Sequence, residues 1–424
     1  MQLNYSEGCY NLFFFNINIK TNEQLSEGIL RKEGATFLHE FIHYLQDLVL
    51  PYNIRCNLSN VRFFYNVLEV AHNTRCINRP FSEWDNESYI LLTQKNSTFG
   101  KPKFINNVCK IEDEVSTYVT ISGFDGNLNI QRTHRVYQYS IPVLEDGKSS
   151  PIQYGLGARD ILEYIAYKIE KKFFTNRPPA PHLPYHSIDL IFDKYDLSNV
   201  SDDKRLCVAE CCLYNDAPIH FLFNVMLGSK GFRDFIINSS YEEVYSYLMS
   251  LDTLTRDGYS ESLTAKTQRR LTQFANELQI QYSGFSDIVK WIQAVNNYVE
   301  QNLSGRFVFS DIYKMNSLEL NNFVCDLLSH IGIPIIMNSK EQAISIIPNE
   351  LDNSQFIQFY IMQKFLFFVQ SDHEKCPIYD FCKANYGLCN NNCILNAQKI
   401  IDGKVNCCLR QFLETYQLLD IKFN

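Results

Sequence analysis

The sequence predicts an α+β protein, predominantly helical, with a β-rich insertion and a short Cys-rich C-terminal module. Three observations carry this. Apolar residues recur at helical spacing over 33–49, 59–71 and 155–173, and again through most of 203–369. Between about 86 and 143 the pattern changes to short alternating runs, and Ser122-Gly123-Phe124-Asp125-Gly126-Asn127 reads as a hairpin loop. Six of the 14 cysteines fall between Cys376 and Cys408. With 424 residues, 46% of them hydrophobic and 20% charged, the chain has material for a packed core and is not globally disordered. The expected division is a first region over 1–200 that carries the insertion, a helical region over 201–370, and the Cys-rich module over 371–424.

In chain order, 10–19 reads as a strand, rich in aromatic and β-branched residues. The helix over 33–49 is expected to close at Pro51, and a second helix covers 59–71. Alternating runs follow at 114–121, at Leu128 and Ile130, and at 137–143. Helical spacing resumes at 155–173, before the connector Arg177-Pro178-Pro179-Ala180-Pro181-His182-Leu183-Pro184. Further periodic stretches lie at 205–213, 241–248, 264–278, 285–299 and 318–328. No period of 20 to 50 residues repeats, so a solenoid is not supported.

Composition excludes several classes. The net charge of −8 leaves no global basic footprint for nucleic acid. From Cys376 to Asn424 the chain has five Lys or Arg against four acids, so this segment is not a basic stripe either. The first residues carry an acid and no Lys or Arg, unlike a signal peptide, and no run of ~18 apolar residues occurs. The expectation is a soluble, cytoplasmic protein with no membrane partner, in which a disulfide framework has no place.

Residues 36–47 read Thr36-Phe37-Leu38-His39-Glu40-Phe41-Ile42-His43-Tyr44-Leu45-Gln46-Asp47, a His-Glu-x-x-His motif inside a helix. His39 and His43 stand one turn apart on one face and can reach one metal ion. Glu40 can reach a metal-bound water from the side. Leu38, Phe41, Ile42, Leu45, Leu48 and Val49 form an apolar stripe on another face, so the polar face is expected to look into a cleft. A pair of surface histidines on an ordinary helix is the bland alternative. In these residues the sequence resembles the zincin metallopeptidases, and the resemblance implies a zincin-like core within 1–200 and a catalytic zinc.

Such a zinc needs a third protein ligand and an open position for water. No His follows His43 at metzincin spacing, which points to a carboxylate from a second helix, the gluzincin arrangement. Glu163-x-x-Ala166-x-x-x-Glu170 resembles the ligand helix of gluzincin aminopeptidases, and the small residues Gly155, Gly157 and Ala166 would let that helix pack closely on the first. The departure is the long gap from His43, which the β-rich insertion would account for. Glu69 lies at a better separation in a poorer context, with His72 where a small residue should be. Glu163 is preferred and Glu69 stays as the rival.

The resemblance implies peptide-bond hydrolysis of an intracellular protein or peptide. Glu40 would be the general base. Tyr185, His186 and Tyr167 are candidate donors to the oxyanion, and Asp160 or Glu170 would orient a zinc-bound imidazole. The strand ending at residue 19, or the insertion, could offer an edge to an extended peptide. In the Cys-rich module, Cys376, Cys382, Cys389 and Cys393 are candidates for a second, structural zinc, with reduced thiols and an iron–sulfur cluster as alternatives. The helical region would serve substrate selection or a regulatory partner protein. The competing function is a non-catalytic, zinc-stabilised interaction protein.

Overall fold

The computed structural model describes residues 2–5, 8–11, 15–100, 104–106, 108, 111, 113–125, 128–145, 148–254, 259–281, 283–372, 375–387, 389, 393 and 407–424. The protein is mostly helical with a few small sheets. No helix among the described residues is long and apolar enough to cross a membrane.

One sheet has five strands, in the order Gln2–Tyr5, Gly8–Asn11, Asn16–Ile19, Ile333–Asn338 and Ala343–Ile346. All pairs are antiparallel except Asn16–Ile19 with Ile333–Asn338, where Ile17 pairs with Ile336. The strand expected over 10–19 is therefore broken. Phe15 takes a positive φ of 55°, and Asn16–Ile19 starts afresh beyond it. That strand is central, paired on both sides, so it offers no edge to a peptide. Ile333–Asn338 is buried along its whole length. A strand covered on both faces loses its alternation, which is why this apolar run does not stand out from its helical surroundings.

The helix carrying the His-Glu-x-x-His motif spans Gly34–Val49 and packs on Gly8–Asn11 and Asn16–Ile19 of this sheet. Pro51 does not close it alone. Leu50 is extended, and Pro51 opens the next helix, Pro51–Thr74, as its first residue. There the missing N–H costs nothing and the fixed φ suits the helix. The 59–71 expectation is thus the middle of a longer helix.

The β-rich stretch begins later than expected. Asn86–Phe99 is a helix, capped by Asp85, whose carboxylate accepts the Ser88 N–H at 2.8 Å. Three antiparallel strands follow: Asp113–Asp125, Leu128–Glu145 and Lys148–Leu156. The turn residues Gly126 and Asn127 lie outside the described residues. Helix Ala158–Phe173 follows directly, so 155–157 is not helical.

Gly157 has a role other than helix–helix packing. A Cβ there would fall 2.2 Å from the Phe99 and Gly100 backbone. The insertion leaves the helical body at Gly100 and returns at Gly157, where the two backbones touch. A closed excursion of this kind lengthens the sequence without displacing the helix that follows it.

Ala158–Phe173 packs on Gly34–Val49. Downstream, Asp202–Cys212, Tyr241–Met249, Leu263–Gln281, Ser286–Tyr298 and Ser317–His330 match the periodic stretches. Asn353–Val369 is a further helix, and Cys408–Thr415 packs against it. Lys422–Phe423 pairs in parallel with Cys76–Ile77. Backbone pairing therefore ties residues 333–346 and 422–423 to elements within the first 80 residues.

Candidate metal centre

The motif helix is buried all round. Its apolar stripe is in the core, and so are His39, Glu40, His43, Gln46 and Asp47 on the polar face. That face meets Ala158–Phe173, not an open cleft. Glu163, on that second helix, is 1% exposed, whereas Glu69 is exposed to solvent. The structure thus brings Glu163, and not Glu69, to the histidines.

His39 Nε2, His43 Nε2 and Glu163 Oε2 form a nearly equilateral triangle with edges of 3.2, 3.3 and 3.4 Å. Three ligands about 2.0–2.1 Å from a metal at tetrahedral angles stand about 3.3–3.4 Å apart, so the atoms are spaced for one ion. Among the described residues this is the group of His, Cys, Asp and Glu atoms gathered closely enough to hold a metal.

The proton bookkeeping agrees. Gln46 donates its amide to the Leu162 carbonyl at 3.0 Å, which leaves its oxygen as the acceptor for His43 Nδ1 at 2.8 Å. His43 then carries its proton on Nδ1 and presents a lone pair at Nε2. His39 Nδ1 donates to Glu170 Oε2 at 2.9 Å. Glu170 is itself held by Arg177 Nε at 2.9 Å, and Arg177 also donates to Thr36. Both imidazoles are thus oriented through their far nitrogens, as metal-binding histidines are.

Burial works against the charged form of His39, but its hydrogen bonds to Glu163 and Glu170 outweigh that and raise its pKa to about 10. Burial likewise opposes ionisation of Glu163, and the two histidines overcome it and hold the carboxyl well below the usual range. A proton on His39 Nε2 can point at Glu163 or at His43, not at both. A cation in the triangle serves all three.

Glu40 is 1% exposed, and its Oε2 has no hydrogen-bond partner among the described residues. Burial, reinforced by Glu163 and Glu170, outweighs the pull of His39 and pushes its carboxyl up to about 8. Buried carboxylates without counter-charge are costly. Arg177 balances Glu170, and a divalent cation would balance Glu40 and Glu163 together. The donor set, the spacing and the orphaned oxygen all fit a metal.

Tyr185 is fully buried, its ring edge-on to His39 with centroids 6.0 Å apart. His186 turns its Nδ1 to Asp189 at 3.3 Å, within a network that includes Lys168 and Arg205. Tyr167 lies between them, 5.4 Å from the Tyr185 ring and 5.0 Å from that of His186. Asp160 accepts from Tyr154 and from Gly157 N, and so caps its own helix; of the two proposed orienting acids, Glu170 is the one that holds a histidine. Gln46 escaped the sequence reading, although it sits three positions after His43, the spacing of a same-face neighbour.

In the C-terminal segment Cys376, Cys382, Cys393 and Cys407 are buried, Cys389 and Cys408 partly so, and none is in a disulfide. Cys376 N donates to Cys393 O at 2.9 Å. Cys376, Cys389, Cys393 and Cys407 all act on one another electrostatically. Cys382 hydrogen-bonds Cys408 and also acts on Cys376 and Cys407. No protein-family model, curated protein or solved structure matches the chain.

Proposed function

We propose that this chain is a zinc-dependent metallopeptidase with a zincin-like core, hydrolysing peptide bonds of an intracellular protein or peptide. His39, His43 and Glu163 would hold the ion, leaving a position for water. Bound there, zinc supplies Lewis acidity, lowering the pKa of a water toward ~7 and polarising a carbonyl. Glu40 takes the proton of the attacking water and passes it to the leaving amine. Glu170 and Gln46 keep the imidazoles in register, and Tyr185, beside His39, is the nearest expected donor to a developing oxyanion.

The observation that carries this reading is Glu40. A purely structural site has no use for a buried carboxylate with an unpartnered oxygen beside three ligands. The alternative, a zinc-stabilised interaction protein that does no chemistry, draws on the burial of the centre, since His39, Glu40, His43 and Glu163 are all at most 3% exposed. Glu40→Gln separates the two. The amide cannot take a proton, so the variant should keep its metal and lose peptide cleavage. Unchanged turnover would remove Glu40 from the mechanism, and a wild-type protein that holds zinc and cleaves no peptide would leave the structural reading.

A second, structural zinc in the C-terminal segment belongs to the same reading. Cys376, Cys389 and Cys393 would hold it, with Cys407, whose sulfur accepts backbone N–H groups, in the place the spacing gives to Cys382, whose hydrogen bond goes to Cys408.

A further inference from the structure

We propose that Arg159 is a subsite for a carboxylate group of the substrate, an inference that rests on the peptidase reading of the adjacent centre. Arg159 precedes Glu163 by four positions on helix Ala158–Phe173, so the two share a face one turn apart. It is 1% exposed. Its Nη2 donates to Tyr154 Oη at 3.3 Å, while Nε and Nη1 have no hydrogen-bond partner among the described residues.

A guanidinium cannot shed its charge, and its donors are costly to bury unmet. The neighbouring acid does not meet them. Asp160 is the largest favourable influence on Arg159, yet its two oxygens take the Tyr154 hydroxyl and the Gly157 N–H. Glu163 and Tyr185 also act electrostatically on Arg159, and Tyr185 lies beside His39. Phe104 lies over it, with the ring centroid 5.7 Å from Cζ, and stacks on Tyr185 at 6.2 Å. Phe104 is 41% exposed, so the ring over the buried guanidinium itself reaches solvent.

The group that fits is anionic, planar and rich in acceptors. A carboxylate meets all three demands, and Arg is the side chain that matches it best. A peptide can bring one from its free C-terminus or from an Asp or Glu side chain. Either would set the scissile bond a fixed distance from Glu40 and the ligand triangle.

The test is equilibrium binding by calorimetry to zinc-loaded Glu40→Gln protein, in which the peptide is not consumed. Three probes are needed: an N-acetylated tripeptide with neutral side chains and a free C-terminal carboxylate, its C-terminal amide, and an N-acetylated, amidated peptide with one internal Glu. The free acid or the Glu peptide should bind about 10- to 100-fold more tightly than the plain amide, the worth of a charged hydrogen bond. Whichever binds tightly identifies the source. Adding Arg159→Gln should bring the ratio to about one, and Arg159→Lys should keep part of it. Equal binding of acid, Glu peptide and amide overturns the proposal, as does a ratio that survives Arg159→Gln. If Arg159→Gln does not fold, the parent ratio and the Lys variant decide.

The outcomes also separate the two readings. Peptide cleavage by the wild-type protein without carboxylate preference removes the subsite alone. Carboxylate preference without cleavage removes the peptidase and leaves the subsite. If no probe binds and no peptide is cleaved, both fall.

Discussion

Two regions of this chain gather metal-binding side chains, and they do so by different means. His39 and Glu163 are 124 positions apart, yet His39, His43 and Glu163 present their ligand atoms within 3.4 Å of one another. The C-terminal cysteines are close in sequence, share one neighbourhood, and are not gathered so tightly. The difference lies in what holds the ligands. One helical turn sets His39 against His43, and a second packed helix has only to add one residue. The insertion does not disturb this, because it returns to its starting point at Gly157. Cys382 lies within the helix Tyr379–Asn385 and Cys407 caps Cys408–Thr415, so no single element carries the thiols together. Proximity in sequence is a weaker guide to a site than a rigid element that carries part of it.

The largest expected effect breaks the first half of this comparison. Replacing both His39 and His43 by Ala should remove one metal equivalent by elemental analysis and abolish hydrolysis. The same variant should lose the thermal stabilisation that added zinc gives the wild-type protein, since a ligand stabilises only the state that binds it. Unchanged stoichiometry would mean that the triangle holds no ion. Next comes Glu40→Gln, with metal retained and turnover lower by a factor of about 10²–10⁴, the range for a general base. A smaller effect is expected from the groups that aim the imidazoles. Glu170→Gln and Gln46→Leu should each weaken metal affinity about 10- to 100-fold in a competition titration with a chelator. A Gln46 variant with wild-type affinity would show that the His43 tautomer needs no support from its own helix.

How much of this was legible follows the same division. The motif helix and its cluster of His39, Glu40 and His43 could be read because the three lie within about one helical turn. Glu163 could be read from its helix context, against the pull of the better-spaced Glu69, because the context records packing and the spacing only records insertions. Five helices after residue 200 were legible from their period, whereas Lys230–Asn238, Val308–Lys314 and Asn353–Val369 were not singled out. The strand Ile333–Asn338 was not, since burial on both faces removes alternation. The central position of Asn16–Ile19 was not legible either, because its parallel partner lies more than 300 positions away. Helix Asn86–Phe99 was hidden for another reason. Its apolar residues have no strong period, so its cap at Asp85 was the better signal. Arg159 gave no sign at all: an Arg one turn before a Glu is ordinary on a helix, and only its burial makes it unusual.

The smallest effect on hydrolysis, and the one that sharpens the comparison most, concerns the cysteines. Sulfur can sit in a core as a protonated thiol or as a metal-bound thiolate, and the two differ in which hydrogen bonds suit them. Cys376 Sγ accepts the Ile378 N–H, and Cys407 Sγ accepts from Leu409 and from Arg410, the latter at 3.5 Å. Backbone donors aimed at sulfur favour the thiolate. Burial opposes it and pushes the Cys376 thiol up to about 12, so the anion needs a cation beside it. Cys382 is differently placed. Its hydrogen bond to Cys408 draws that thiol down to about 7 and raises its own pKa, a pairing that satisfies both sulfurs without a metal. Cys407→Ser should therefore remove a second metal equivalent, while Cys382→Ser leaves the metal content at the wild-type value, and both keep peptide cleavage. Loss of metal in Cys382→Ser and not in Cys407→Ser would restore the ligand set read from the spacing. Equal metal content in both variants and the wild type would mean that these cysteines are core side chains and hold no ion.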